Sequence, residues 1–195
     1  MAFFDCHFFS ETLALQVSAY VLIPQTPAAK RKVHPVLFLL HGLSDDHTMW
    51  MRRTSIERYA AERGLAVIMP AVGRSFYQDM ASGARYWTYL SEELPAIMRR
   101  FFPLSEKRAD NFTAGLSMGG YGALRLALSR PDKFAAAASF SGALDYVRRL
   151  RESGKPDSRV SKAEWNAVAG LERNAAGTAS DLFFLAERIA SRRRA

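Results

Sequence analysis

An α/β fold with a mostly parallel sheet is predicted by three features of this sequence. Short continuous apolar runs at residues 36–40, 65–69, 112–116 and 134–140 suit strands buried in the middle of a sheet. Segments with helical spacing separate them, and such alternation builds right-handed crossovers over a parallel sheet. An alternating stretch comes first: between residues 13 and 23 every odd position is apolar, which predicts a strand with one covered face and an antiparallel start to the sheet.

Each element has its own signal. The first strand stops at Pro24, and residues 26–32, with Pro27 and three basic residues, read as a turn. Residues 51–63 carry Ile56, Tyr59 and Ala60 at helical spacing and meet Gly64, a natural C-terminal glycine. Leu90, Leu94, Ile97, Met98 and Phe101 follow a 3.6-residue period, with Pro95 near the first turn or at a kink. Residues 121–129 predict a helix after the third buried strand, and Ser180 or Asp181 can cap a last helix running to Ile189. Residues 145–177 are more polar and carry no clear pattern.

With 195 residues the chain is of one-domain size, and 49% apolar and 24% charged residues are those of an ordinary globule. The net charge of +8 includes Arg192, Arg193 and Arg194. The remaining basic residues are scattered among acidic ones without aromatic interleaving, which argues for solvated helix faces and against nucleic-acid binding. Cys6 is the only cysteine, so an intrachain disulfide and a thiolate metal cluster are both excluded. The N-terminus has neither a basic segment nor an uninterrupted apolar one, and no apolar run reaches membrane-span length. The expectation is a cytoplasmic protein with no membrane partner.

The informative segment is Ala114-Gly115-Leu116-Ser117-Met118-Gly119-Gly120. It places Gly-x-Ser-x-Gly directly after a buried strand and directly before a helix, the setting of a nucleophile elbow. In such a bend the residues two before and two after the serine approach closely, so Gly115 and Gly119 are needed. The turn lifts the Ser117 hydroxyl clear of the sheet. A second element is His41-Gly42-Leu43-Ser44-Asp45-Asp46-His47, in the loop leaving the strand at 36–40. In this setting that loop supplies one oxyanion-hole amide and the residue after the nucleophile supplies the other, which points to the backbone N–H groups of Leu43 and Met118. His41, Asp45 and His47 are metal-ligand types but lack a recognised spacing, so a structural role is the expectation and no metal or cofactor is implied. His7 and His34 read as packing or surface residues.

A serine needs a base, normally a histidine oriented by a carboxylate, and in this arrangement both follow the nucleophile in the chain. Here His7, His34, His41 and His47 all precede Ser117. Asp132, Asp145, Asp157 and Asp181 follow it, but no histidine does. No strand is evident after residue 140 either, which leaves an apolar strand at an open sheet edge. The expectation is a C-terminally incomplete domain with its last strands missing, and an association with a second copy or another partner that covers the edge. The competing expectation is a full hydrolase-like module that binds ligand without catalysis.

Over nearly its whole length the chain resembles the α/β-hydrolases of the esterase D and S-formylglutathione hydrolase-like group, and most closely the bacterial tributyrin esterases. The resemblance rests on HGLSDDHTMW at 41–50, SFYQDM at 75–80, YWTYLSEELP at 86–95, RRFFP at 99–103, AGLSMGGYGALRLAL at 114–128 and FSGALD at 140–145. Ser-Phe-Tyr-x-Asp is also similar to a segment of the mycolyltransferases of that fold. The resemblance implies a serine carboxylesterase that hydrolyses small, short-chain acyl esters without a cofactor, through an acyl-enzyme on Ser117. It implies an acid and a histidine on later strands, so no position here takes either role, and little turnover is expected. Residues 1–195 then form one domain, with 145–178 as a variable cap or acyl-pocket region.

Overall fold

The computed structural model describes residues 1–25, 33–153, 155, 159–172 and 174–192. The turn expected at 26–32, Asp157, Arg193 and Arg194 lie outside the described residues. Six strands form one mixed sheet: β1 (Ala2–Ser10), β2 (Leu15–Ile23), β3 (Val36–Leu40), β4 (Ala66–Pro70), β5 (Asn111–Leu116) and β6 (Ala136–Phe140). Their spatial order is β1-β2-β4-β3-β5-β6. The first two strands and the β2–β4 pair are antiparallel, while β4, β3, β5 and β6 run parallel. The α/β fold with an antiparallel start is therefore present.

The four apolar runs are the four parallel strands. β2 begins at Leu15 rather than at residue 13, because Ala14 takes a positive φ of 55° and turns the chain there. From Val17 onward its odd positions are buried, as the alternation predicts. β1 is not signalled by the sequence. Its apolar residues fall on both parities, with Phe3, Phe4 and Phe9 all exposed, so no period of two can be read. The carboxylate of Glu93 fastens the β1–β2 turn, accepting from the Ser10 hydroxyl at 2.5 Å and the Glu11 amide at 2.8 Å.

The helix expected at 51–63 is two helices, α1 (Met49–Arg53) and α2 (Ile56–Arg63). Thr54 is the cause: it is extended, its hydroxyl donates to the Trp50 carbonyl at 2.6 Å, and it accepts from the Ile56 amide at 3.2 Å. Gly64 ends α2 in the left-handed conformation at φ 60°. After a short α3 (Tyr86–Thr88) comes a π-helical turn over Tyr89–Glu93 that leads into α4 (Leu94–Phe101). Pro95 occupies the first turn of α4 and has no N–H to return to Ser91, so the preceding turn widens.

α5 (Met118–Ser129) starts three residues before the helix expected at 121–129, since glycines at 119, 120 and 122 hide its beginning from a propensity reading. The segment without a clear pattern holds α6 (Tyr146–Arg151) and α7 (Lys162–Ala169). A capping box defines α7: the Ser161 hydroxyl accepts from the Glu164 amide, and the Glu164 carboxylate accepts from the Ser161 amide. Asp181 caps α8 (Leu182–Arg192) by accepting from the amides of Phe183 and Phe184.

One face of the sheet carries the main core, with Val36, Phe38, Leu40, Ala66 and Ile68 packed against Leu94, Met98, Tyr121, Leu126 and Leu185. The opposite face carries a smaller cluster around Leu22, Leu39, Val67, Met69 and Ala60. β6 is an edge strand whose Ala136, Ala138 and Phe140 are exposed. Its buried-strand signal thus corresponds to a strand covered on one side only. No helix among the described residues is long and apolar enough to cross a membrane.

Candidate active site

Strand β5 ends at Leu116 and α5 begins at Met118, so the reversal falls on Ser117. That residue has φ 55° and ψ −111°, a region costing a non-glycine residue about 1–3 kcal/mol. The surrounding backbone holds it there: the Ser117 amide donates to the Phe140 carbonyl at 2.9 Å, and its carbonyl accepts from Ala143 at 2.9 Å and Tyr121 at 3.2 Å. Its side chain makes no capping bond to the helix. A Cβ on Gly115 would collide with the backbone of Gly119, and a Cβ on Gly119 would collide with the carbonyls of Leu40 and His41. The bend therefore excludes side chains at both positions and seats α5 against the end of β3.

Ser117 lines a cavity of about 600 Å³, together with Gly42, Leu43 and Met118. Neither the Leu43 nor the Met118 amide donates a hydrogen bond among the described residues. Met118 is the first residue of α5, where an amide has no partner one turn back. The structure thus brings together all three residues that the sequence singles out. Two free amides beside a hydroxyl can receive charge that develops on a carbonyl oxygen.

The loop bearing Leu43 is shaped by its neighbours. The Asp45 amide donates to the Gly42 carbonyl at 3.2 Å, closing a tight turn, and a Cβ on Gly42 would lie 2.7 Å from the Asp45 carboxylate. Behind it, the buried Tyr77 hydroxyl donates to the His41 carbonyl at 2.8 Å, and the Tyr77 ring fills the space a Cβ on Gly122 would take. Tyr77 therefore ties the loop after β3 to α5. Burial holds its phenol well above the ordinary value, so it stays a donor.

None of the four histidines lines this cavity. His41 is buried with both ring nitrogens engaged: Nδ1 lies 2.7 Å from the Gly42 carbonyl, and Nε2 accepts from the Val72 amide at 3.1 Å. That pair fixes the neutral ring with its proton on Nδ1, and burial lowers its pKa in the same sense. His47 packs its ring edge-on to Tyr20 at 4.7 Å. His7 is exposed on β1, with Asp5 at 3.2 Å, and His34 bridges to Leu104. Among the described residues no group of His, Cys, Asp and Glu could hold a metal ion, so His41, Asp45 and His47 do not converge.

Other parts of the wall come from elements whose sequence gives little signal. Phe76 and Trp165 line the cavity with ring centroids 4.5 Å apart. Phe76 and Tyr77 both have positive φ, 51° and 54°, in the Ser-Phe-Tyr segment. The only available signal was that segment itself, which carries no periodicity. Arg149 and Arg159 stand on the wall as cations. Arg74 braces this side, donating from Nε to Glu164 at 2.6 Å and from Nη2 to the Arg159 carbonyl at 2.8 Å. Both ion-pair partners are about 40% exposed, so the pair contributes at most about 1 kcal/mol.

Comparison with known proteins agrees with this geometry. The Esterase family model matches residues 10–194. An acetyl esterase of Caldicellulosiruptor saccharolyticus is 30% identical over 152 residues, covering 74% of this chain and 57% of that protein. An S-formylglutathione hydrolase of Paracoccus denitrificans is 32% identical over 137 residues, 59% of this chain and 48% of that protein. The chain thus spans about half the length of the curated relatives it matches. Among solved structures, the substrate-bound fluorophosphonate-binding serine hydrolase F of Staphylococcus aureus superposes with a TM-score of 0.88 and 36% identity, over 98% of this chain and 74% of that one. With this match and the elbow geometry together, the chain belongs to the Esterase family, and its fold is that of the α/β-hydrolases.

Proposed function

We propose that this chain carries the nucleophile and oxyanion half of a serine carboxylesterase acting on short-chain acyl esters. Ser117 attacks the ester carbonyl, and the amides of Leu43 and Met118 hold the resulting oxyanion. A single observation carries the reading: Ser117 is held in a costly backbone conformation at a strand–helix junction, lining one cavity with two residues whose amides no acceptor among the described residues uses. Fixed donors of this kind stabilise the tetrahedral intermediate without reorganising, and loss of one costs about 3 kcal/mol of barrier. Phe76, Val160 and Trp165 give the cavity an apolar patch that suits a short acyl chain, beside the charged Arg149, Glu152, Lys155 and Arg159. The similarity to an acetyl esterase and an S-formylglutathione hydrolase supports this substrate class.

No histidine lines the cavity, so the reading assigns no general base among the described residues. The same observation favours a second reading, a hydrolase-fold module that binds ligand without turnover. One experiment separates them. The purified chain is treated with a fluorophosphonate probe and assayed on p-nitrophenyl acetate with and without millimolar imidazole, beside Ser117→Ala. Labelling at Ser117 and an imidazole-dependent rate that Ser117→Ala abolishes support the esterase. Unlabelled Ser117, with a rate equal to that of Ser117→Ala throughout, leaves only the binding module.

A further inference from the structure

A second cavity of about 650 Å³ lies at the other end of the sheet, between α4 and the segment that follows α5. Its wall carries four cations, Arg99, Arg100, Arg130 and Lys133, against two carboxylates, Glu92 and Glu106. Arg99 is the organised member. Asn111, the buried first residue of β5, donates from Nδ2 to the carbonyls of Ser105 and Lys107, which turns its Oδ1 toward Arg99. The Arg99 guanidinium donates to that Oδ1 at 2.8 Å and to the Pro95 carbonyl at 3.4 Å. Both are neutral acceptors. Its Nε is buried and, among the described residues, has no hydrogen-bond partner. The half-buried guanidinium is thus fixed in position by neutral acceptors, and among the described residues no carboxylate is bonded to it. Arg130 is partly drawn off by Asp132 at 3.5 Å, outside the cavity wall.

Ser117 lies past the opposite end of β5, about 20 Å away along six residues of strand, so this cavity is separate from the proposed ester site. We propose that it binds a phosphate-bearing small molecule that also carries hydroxyl or amino groups. The terminal N–H groups of Arg99 that Pro95 and Asn111 leave over can donate to phosphate oxygens, and Arg130 and Lys133 supply the remaining charge. Glu92 and Glu106 accept from the ligand's hydroxyl or amino donors, and they disfavour a continuous polyanion such as nucleic acid. Phe134 and Pro95 give the cavity an apolar floor for the carbon skeleton.

The test is isothermal titration of the whole chain with glucose 6-phosphate, inorganic phosphate and glucose, in sodium chloride of matched ionic strength. Saturable binding of glucose 6-phosphate at millimolar concentration or below is expected, weaker binding of inorganic phosphate, and none of glucose. The double variant Arg130→Gln/Lys133→Gln, at partly exposed positions, is expected to weaken glucose 6-phosphate at least tenfold while leaving fluorophosphonate labelling of Ser117 unchanged. Arg99→Lys keeps the charge but loses the two terminal nitrogens that anchor and donate, and is expected to weaken it as well. Absence of saturable binding of either phosphate, or equal binding by the double variant, overturns the proposal. Inorganic phosphate binding as tightly as the sugar phosphate overturns the claim that the ligand's hydroxyl or amino groups are read.

Discussion

The two faces of the sheet are built from alternate residues of the same strands, yet they are finished to different degrees. On one face, α5 packs on β3 and β5, Leu94 and Met98 of α4 join the same core, α8 packs on α5, and Tyr121, Leu94 and Met98 are fully buried. On the other, α1 and α2 cover β4 and β3, and cover then thins across β5 to β6, where Ala136, Ala138 and Phe140 are exposed. Trp50 reaches toward this bare region, its ring 6.2 Å from that of Phe140. The difference teaches that a strand's apolar character reports the burial its fold provides for, strand by strand and face by face. Ser117 sits at the end of β5, held by Phe140 of the exposed strand β6 on one hand and by Ala143 and Tyr121 on the other.

The largest effect that could break this comparison is at the bend. Gly115→Ala places a methyl group against the Gly119 backbone, which cannot give way as a side chain would. A loss of about 3 kcal/mol in urea unfolding is expected, near the upper end for overpacking. Next come paired truncations on the two faces. Leu126→Ala in the filled core is expected to cost about 3 kcal/mol, while Phe140→Ala on the bare face costs less than about 1 kcal/mol. Equal losses would show that something covers β6 in solution. Ser117→Gly removes the strain of a positive φ and is expected to raise stability by about 1 kcal/mol while abolishing fluorophosphonate labelling.

The smallest effect is in the pH profile. Burial lowers the pKa of His41, and of the less buried His47, below the unfolded value of about 6.5. As pH falls, the unfolded chain takes up protons first. Stability is therefore full above about pH 6.5 and declines below it until the folded-state histidines also protonate. Urea midpoints at pH 7.5, 6.5 and 5.5 test this, with NMR of the His41 ring to assign the group. A midpoint that rises between 6.5 and 5.5 contradicts it.

The parallel strands were legible because each is a continuous apolar run bounded by a turn signal. The elbow was legible because a bend this tight demands glycine at two defined positions, and Gly115 and Gly119 fill them. β1 was not legible, since an edge strand with Phe3, Phe4 and Phe9 in water has no reason to alternate. The break at Thr54 was missed because a hydroxyl that competes with the backbone leaves no mark on apolar spacing. α6 and α7 are short helices defined by local caps, too brief for a period to show. The role of Tyr77 in joining His41 to Gly122 spans 36 and 45 residues of chain, and no local pattern encodes it.

By itself, then, the sequence determined the α/β class, the order of the parallel strands along the chain and the residue at the bend. These are local demands of backbone sterics and solvent exclusion, written within a few residues of where they act. Only the tertiary structure decided that Phe76 and Trp165 share the cavity with Ser117. It alone placed His41 out of reach, with both nitrogens occupied. Such convergence depends on how separate strand ends and loops pack together, and contacts between distant segments leave no periodic trace in the chain.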